Sequence, residues 1–201
     1  AGQDKGLSYQ MISDHLKRRG FESGWGNSIE RISTAMQSLT DLINEPSDTL
    51  LEHFLSQVPM PLISKIAILS PHGWFGQDNV LGKPDTGGQV IYILDQVKAL
   101  EKHLVQDIEN AGLDVSPVIV IVTRLIPQAG DTSCHIEREK VHGTRNCWII
   151  RVPFKDGDGR IVEHWISRFR IWPYLEKFAD DALTRIIAAC RGRPDLIIGN
   201  Y

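Results

Sequence analysis

The stretch from Lys65 to Gly112 constrains the fold most, because it sets three local patterns in a fixed order. Lys65-Ile66-Ala67-Ile68-Leu69-Ser70 is a short apolar run closing in turn chemistry, which reads as a buried strand. The residues between Pro71 and Asp85 are rich in Gly, Pro and Asn and too broken to be an element. Thr86-Gly87-Gly88-Gln89 then opens a helix whose apolar residues fall at Val90, Ile93, Leu94, Val97, Leu100, Leu104 and Ile108. That is the core-facing stripe of an amphipathic helix, with Asp95, Lys98 and Lys102 on its other side. Gly112 stands where a left-handed cap residue is wanted, so the helix should stop there.

The rest of the chain after residue 60 repeats this alternation. Val118-Ile119-Val120-Ile121-Val122 is a β-branched run, as in a parallel strand covered on both faces. Cys147 to Val152 supplies a third strand and Asp195 to Gly199 a fourth. Between these two, Pro173 marks a helix start, with Leu175, Phe178, Ala182, Leu183, Ile186 and Ile187 along the buried side and Gly192 and Pro194 as stops. Residues 125 to 146 read as a solvated loop. The sum predicts an α/β domain, doubly wound around an open parallel sheet, over residues 61–201.

Residues 1–60 read as a small helical region. Tyr9, Met11, Ile12 and Leu16 make one apolar stripe, ended by Arg18-Arg19-Gly20. Asn27-x-x-Glu30 is placed to cap a second helix carrying Ile29, Ile32, Met36, Leu39 and Ile43. Ser47 caps a third with Leu50, Leu51, Phe54 and Leu55. An apolar face that wide must pack on something, either the next domain or another subunit; a homo-oligomer is the partner expectation that goes with the second. Trp25, between two glycines, reads as an aromatic pinning a helix corner. Val58-Pro59-Met60-Pro61 is the boundary, since its prolines break helix and strand alike.

Composition removes several classes of function. A net charge of −3 with no basic block suggests neither nucleic acid nor an anionic membrane as partner. No apolar run reaches membrane-spanning length. The cysteines, Cys134, Cys147 and Cys190, are too far apart for a metal motif, which favours a reduced, cytoplasmic setting without structural metal. Asp156-Gly157-Asp158-Gly159 lacks the remaining ligands of a calcium loop and reads as a surface turn. The chain opens at Ala1 and closes at Tyr201 just past a strand-like run, so a piece of a longer polypeptide is expected.

Chemistry concentrates at the helix opening. A first helical turn offers unpaired N–H groups and partial positive charge, and Gly87 and Gly88 let a ligand approach that backbone closely. The same residues admit a purely structural reading. Thr86 and Gln89 fit a capping box, and two glycines suit a tight turn. The G-x-G-x-x-G dinucleotide fingerprint is absent, so no nicotinamide cofactor is supported. Arg168, among Trp165, Phe169 and Trp172, is either a surface cation stacked on a neighbour or a forked donor to sugar or phosphate.

Longer motifs weigh on that choice. Ser70-Pro71-His72-Gly73, Gln77-Asp78-Asn79-Val80-Leu81-Gly82, Pro84-Asp85-Thr86-Gly87-Gly88-Gln89-Val90 and Tyr92 to Val97 resemble sucrose synthases, which are retaining glycosyltransferases of the GT-B fold. Phe21 to Gly26, Val122 to Leu125, Ile150 to Phe154, Trp165 to Phe169, Trp172 to Glu176 and Pro194 to Tyr201 extend the likeness over nearly the whole chain. Sucrose-phosphate synthase shares Asp85 to Val90 but less around Gln77, and is the runner-up; a non-catalytic assembly module is the rival from another class. Trp74 and Gly76 stand where that family often carries tyrosine and alanine.

The resemblance implies a GT-B N-terminal Rossmann-like domain, and the reaction sucrose + NDP = fructose + NDP-glucose. By position, Gly87 and Gly88 would supply backbone amides near the diphosphate. His72, Gln89 and Arg168 would hydrogen-bond the fructose. The nucleoside diphosphate, UDP or ADP, enters as substrate, and no cofactor is implied. The nucleotide-binding and acidic residues would come from a C-terminal GT-B domain, so this chain is expected to be inactive alone. Asn200 and Tyr201 lie past a strand end, with no role assigned.

Overall fold

The computed structural model describes residues 8–57 and 63–200. The Val58–Pro61 boundary and Tyr201 lie outside the described residues. The chain divides into two compact units, one of Ala1–Leu62 with His103–Ser116 and the other of Ile63–Lys102 with Pro117–Tyr201.

The first unit contains α1 (Tyr9–Arg18), α2 (Ile29–Asn44) and α3 (Asp48–Gln57). Ser8 caps α1 by accepting the Met11 N–H at 3.4 Å. The cap of α2 is Ser28, which accepts the Arg31 N–H at 3.3 Å, so Asn27 lies one position too early to play that part. Ser47 caps α3 as expected, accepting from Leu50 N at 3.3 Å. Ile32, Ala35 and Ser38 form the buried stripe of α2, while the expected core positions Met11, Ile29 and Ile43 are exposed. Trp25 does pin the corner: its ring meets Phe21 edge-on at 5.5 Å and Phe54 at 6.4 Å.

The long helix α4 (Gly88–Asn110) ends in this unit. Its stop is a Schellman turn, with Gly112 at φ 70°. Leu113 N–H reaches Ile108 O at 3.1 Å, and Gly112 N–H reaches Glu109 O at 3.1 Å. A side chain there would also strike Gly26 O, 2.4 Å from where its Cβ would sit.

The second unit is a five-stranded sheet in the order β3-β4-β2-β1-β5, from β1 (Lys65–Ser70), β2 (Val118–Leu125), β3 (Arg138–Lys140), β4 (Cys147–Pro153) and β5 (Leu196–Gly199). All neighbours are parallel except the edge strand β3, which runs antiparallel to β4. On one face, Ala67, Val120, Val122, Ile150 and Val152 pack with Phe178, Ala182, Ile186 and Cys190 of α5 (Leu175–Cys190). The alternate strand residues Ile66, Ile68, Ile119, Ile121 and Ile149 are buried too, as in a sheet covered on both sides.

Two further expectations need correction. Residues 125 to 146 are not a solvated loop. They form a 3-10 turn (Ser133–His135) and β3, and bury Thr132, Cys134, Val141 and Thr144. Leu183 and Ile187 lie on the outer face of α5, at 51% and 42% exposure, because the helix buries a narrower stripe than its apolar content suggests. The helix does stop at Gly192 as expected, where Arg191 turns left-handed at φ 50° and the Gly192 N–H reaches Ile187 O at 2.9 Å.

Candidate functional site

In such a sheet, strand order reverses between β1 and β5, and ligands gather at the carboxyl ends of the strands there. The loop after β1 leads to α4, and Asn200 follows β5, donating its N–H to Leu69 O at 2.8 Å. The Asn200 carboxamide nitrogen is buried and has no hydrogen-bond partner among the described residues.

The loop is rigidly fastened. Phe75 and Val80 give it a small core of its own. Gly73, at φ 77°, lies so close to Asp85 that a Cβ would come 2.4 Å from its carbonyl oxygen. Thr86 Oγ1 accepts the Trp74 N–H at 3.0 Å. Gln77 donates to Glu139 Oε1 at 2.5 Å and to Lys140 O at 2.9 Å, and accepts from His142 N at 2.6 Å. Asn79 donates to Asp131 O at 3.1 Å. The residues of the Gln77 to Gly82 motif therefore hold the loop against the segment that carries β3.

Two buried arginines, one on each face of the sheet, extend that fastening. Arg151 on β4 donates to Phe75 O at 2.9 and 3.2 Å, to Ile136 O at 2.8 Å and to Glu139 Oε2 at 2.6 Å. Burial pulls the Glu139 carboxyl upward, but hydrogen bonds from Gln77, Arg151 and Ser133 outweigh it and hold the group below its ordinary range. Arg124 on β2 donates to His164 O and lies 4.8 Å above the Phe154 ring, holding the segment that leads to Arg168. Desolvation lowers its pKa to about 10, so it stays charged at neutral pH.

The sequence-predicted site residues come together at the mouth of this scaffold. His72 is buried, and its imidazole is drawn below its ordinary value of 6.5 first by desolvation and further by the Arg168 charge; Asp85 and a Gln89 hydrogen bond oppose the shift. It is neutral at pH 7, so its ring carries one N–H donor and one nitrogen acceptor, with the Gln89 side chain already hydrogen-bonded to it. Gln89 also donates to Ser70 Oγ at 3.3 Å. Asp85, left-handed at φ 54°, accepts the Arg168 N–H at 2.9 Å and faces its Nε at 3.9 Å. The Arg168 side chain is 49% exposed.

The capping-box reading of Thr86 and Gln89 does not describe these bonds, because both side chains point back into the loop and the strand. The tight-turn reading of the glycines fares no better. Gly87 and Gly88 are exposed, neither has positive φ, and a Cβ on either would meet nothing within 4 Å. Nothing in the fold of this unit requires glycine there, and the space beside both is open.

Asp156 accepts from Asp158 N and Arg160 N at 3.0 and 2.8 Å, a self-contained surface turn. Among the described residues, no cluster of His, Cys, Asp and Glu could hold a metal. Among the same described residues, no helix is long and apolar enough to cross a membrane.

A doubly wound α/β sheet with a polar cluster at its switch point is a frame shared by many enzyme classes, and the comparison with known proteins places this one among the glycosyltransferases of the GT-B class. Residues 49–201 match a family model described as the sucrose synthase first GT-B domain. The chain belongs to that family. A sucrose synthase of Nitrosomonas europaea is 54% identical over 190 residues, covering 94% of this chain and 24% of the relative. One from Thermosynechococcus vestitus is 50% identical over 197 residues, covering 96% and 24%. Sucrose synthase 3 of Arabidopsis thaliana is 53% identical over 186 residues, covering 92% and 23%. The chain thus spans about a quarter of the length of the curated relatives it matches.

Proposed function

We propose that this chain forms part of an enzyme that moves glucose reversibly between sucrose and a nucleoside diphosphate, giving fructose and a nucleotide glucose. In the cleavage direction the bond from the glucose anomeric carbon to the fructose oxygen breaks. A bond to the terminal phosphate oxygen forms on the same face, and the phosphate proton passes to fructose. Positive charge grows on the sugar as negative charge grows on the leaving oxygen, so fixed donors lower the barrier most.

In this reading His72, Gln89 and Arg168 hydrogen-bond fructose, and the Gly87 and Gly88 amides meet diphosphate oxygens. UDP or ADP is a substrate, no cofactor takes part, and a C-terminal GT-B domain completes the cleft. The carrying observation is the pair of glycines whose missing side chains leave room for nothing in this unit. Three free, buried cysteines agree with a reducing cytoplasm, and exposed Ile43, Leu51 and Leu55 on the helices agree with assembly into a homo-oligomer.

The test is calorimetric titration of UDP, ADP and fructose into the protein at the full length of its relatives, wild type and Gly88→Val. Because a Cβ at Gly88 enters open space, the variant should keep its stability within about 0.5 kcal/mol. Diphosphate heat should disappear, and the 201-residue chain alone should not cleave sucrose. Unchanged diphosphate affinity in Gly88→Val would remove the glycine role; cleavage by the short chain would remove the need for a second domain.

A further inference from the structure

We infer that Asp85 is a positioning residue for the acceptor sugar, acting through Arg168; the inference rests on the reading of Arg168 as a fructose ligand. The two residues lie 83 positions apart in sequence, and one carboxylate joins their loops by two separate links. Oδ2 accepts the Arg168 backbone N–H at 2.9 Å, which fixes where the 3-10 turn Arg168–Arg170 begins. Oδ1 lies 3.9 Å from Nε, a charge–charge contact on the inner edge of the side chain rather than a hydrogen bond.

The guanidinium is left half-committed. Among the described residues its two Nη groups have no hydrogen-bond partner, and the Phe169 ring lies 5.1 Å from its central carbon. A forked cation held only along its Nε edge presents its outer nitrogens as a unit, the geometry that paired sugar hydroxyls match. Asp85 is itself held. It takes a left-handed conformation, φ 54°, that side-chain-bearing residues seldom adopt, and Gly73 packs directly on its carbonyl. Only 17% of its side chain is exposed, against 49% for Arg168, so the carboxylate faces inward while the cation faces the ligand.

The experiment is a double-mutant cycle in the protein at the full length of its relatives, measuring KM for fructose and for the nucleotide glucose in the synthesis direction. Arg168→Ala should raise the fructose KM about tenfold or more, the weight of a charge-assisted hydrogen bond. Asp85→Ala should raise fructose KM by a comparable factor and leave the nucleotide glucose KM unchanged. The double variant should be no worse than Arg168→Ala alone. Asp85→Asn tolerates the left-handed backbone and still accepts the Arg168 N–H, so it should fall between wild type and Asp85→Ala. It decides the matter if the alanine variant does not fold. An Asp85 variant with wild-type fructose KM, or a double variant whose losses multiply, overturns the positioning role. An Arg168→Ala with wild-type fructose KM overturns the acceptor-site reading beneath it instead.

Discussion

His72 illustrates how burial of a single side chain ties its proton to stability. Desolvation sets its folded pKa below the unfolded value of 6.5, so the unfolded chain binds the extra proton more readily. The contribution of His72 is therefore complete above pH 6.5 and is lost as pH falls through the folded value. The melting temperature should drop as pH is lowered from 6.5 toward 5, and His72→Gln should flatten that part of the profile. An unaltered slope in the variant would mean that His72 titrates as an exposed imidazole. Glu139 has the same sign, but its window lies below its ordinary value of 4.5. At this scale the sequence was informative where motifs were long: His72, Gln89 and Arg168 do converge. It could not reveal that Asp85 binds Arg168, because nothing local links positions so distant. Arg124 and Arg151 carried a visible signal, each a charge inside an otherwise apolar strand, whose meaning depends on carbonyls contributed by distant loops.

Among the elements, α4 is where sequence and structure agree most closely. Val90, Ile93, Val97 and Ile108 are buried on its stripe, and Asp95, Lys98 and Lys102 are exposed. Its C-terminus does two jobs with one residue. Gly112 needs a left-handed backbone and leaves no room for a side chain beside Gly26, whose N–H binds Ala111 O at 3.2 Å. Gly112→Ala should therefore cost upward of about 1 kcal/mol, since both effects oppose it. Chemical denaturation would read this as a lower midpoint; a neutral result would show that the helical unit yields at this corner. Apolar stripes predicted the wrong breadth for α2 and α5, where Ile43 and Leu183 are exposed. Periodicity says which residues could face a core, and only the neighbours present decide which do. The region of residues 125–146 was misread for a related reason. Its Asp131 and Glu139 carboxylates and the His142 N–H bond to Lys83 and Gln77 of the loop after β1, so polarity there does not mean solvation.

Across the whole molecule, the Arg151–Glu139 pair joins the loop after β1 to the sheet edge with almost no exposure, 0% and 12% for the two side chains. Removing one partner of such a pair strands a buried charge, which typically costs about 3–5 kcal/mol. Glu139→Ala should lower stability on that order, whereas the paired change to Arg151→Met with Glu139→Leu should recover much of it. Differential scanning calorimetry would separate these; equal losses in both would show that the Phe75 and Ile136 carbonyls, rather than the charge, are what Arg151 serves. A loop bound at Phe75, Gln77, Asn79 and Thr86 has given up its conformational freedom before any ligand arrives. Under the proposed function, recognition on this side carries little ordering entropy, and affinity reflects the contacts themselves.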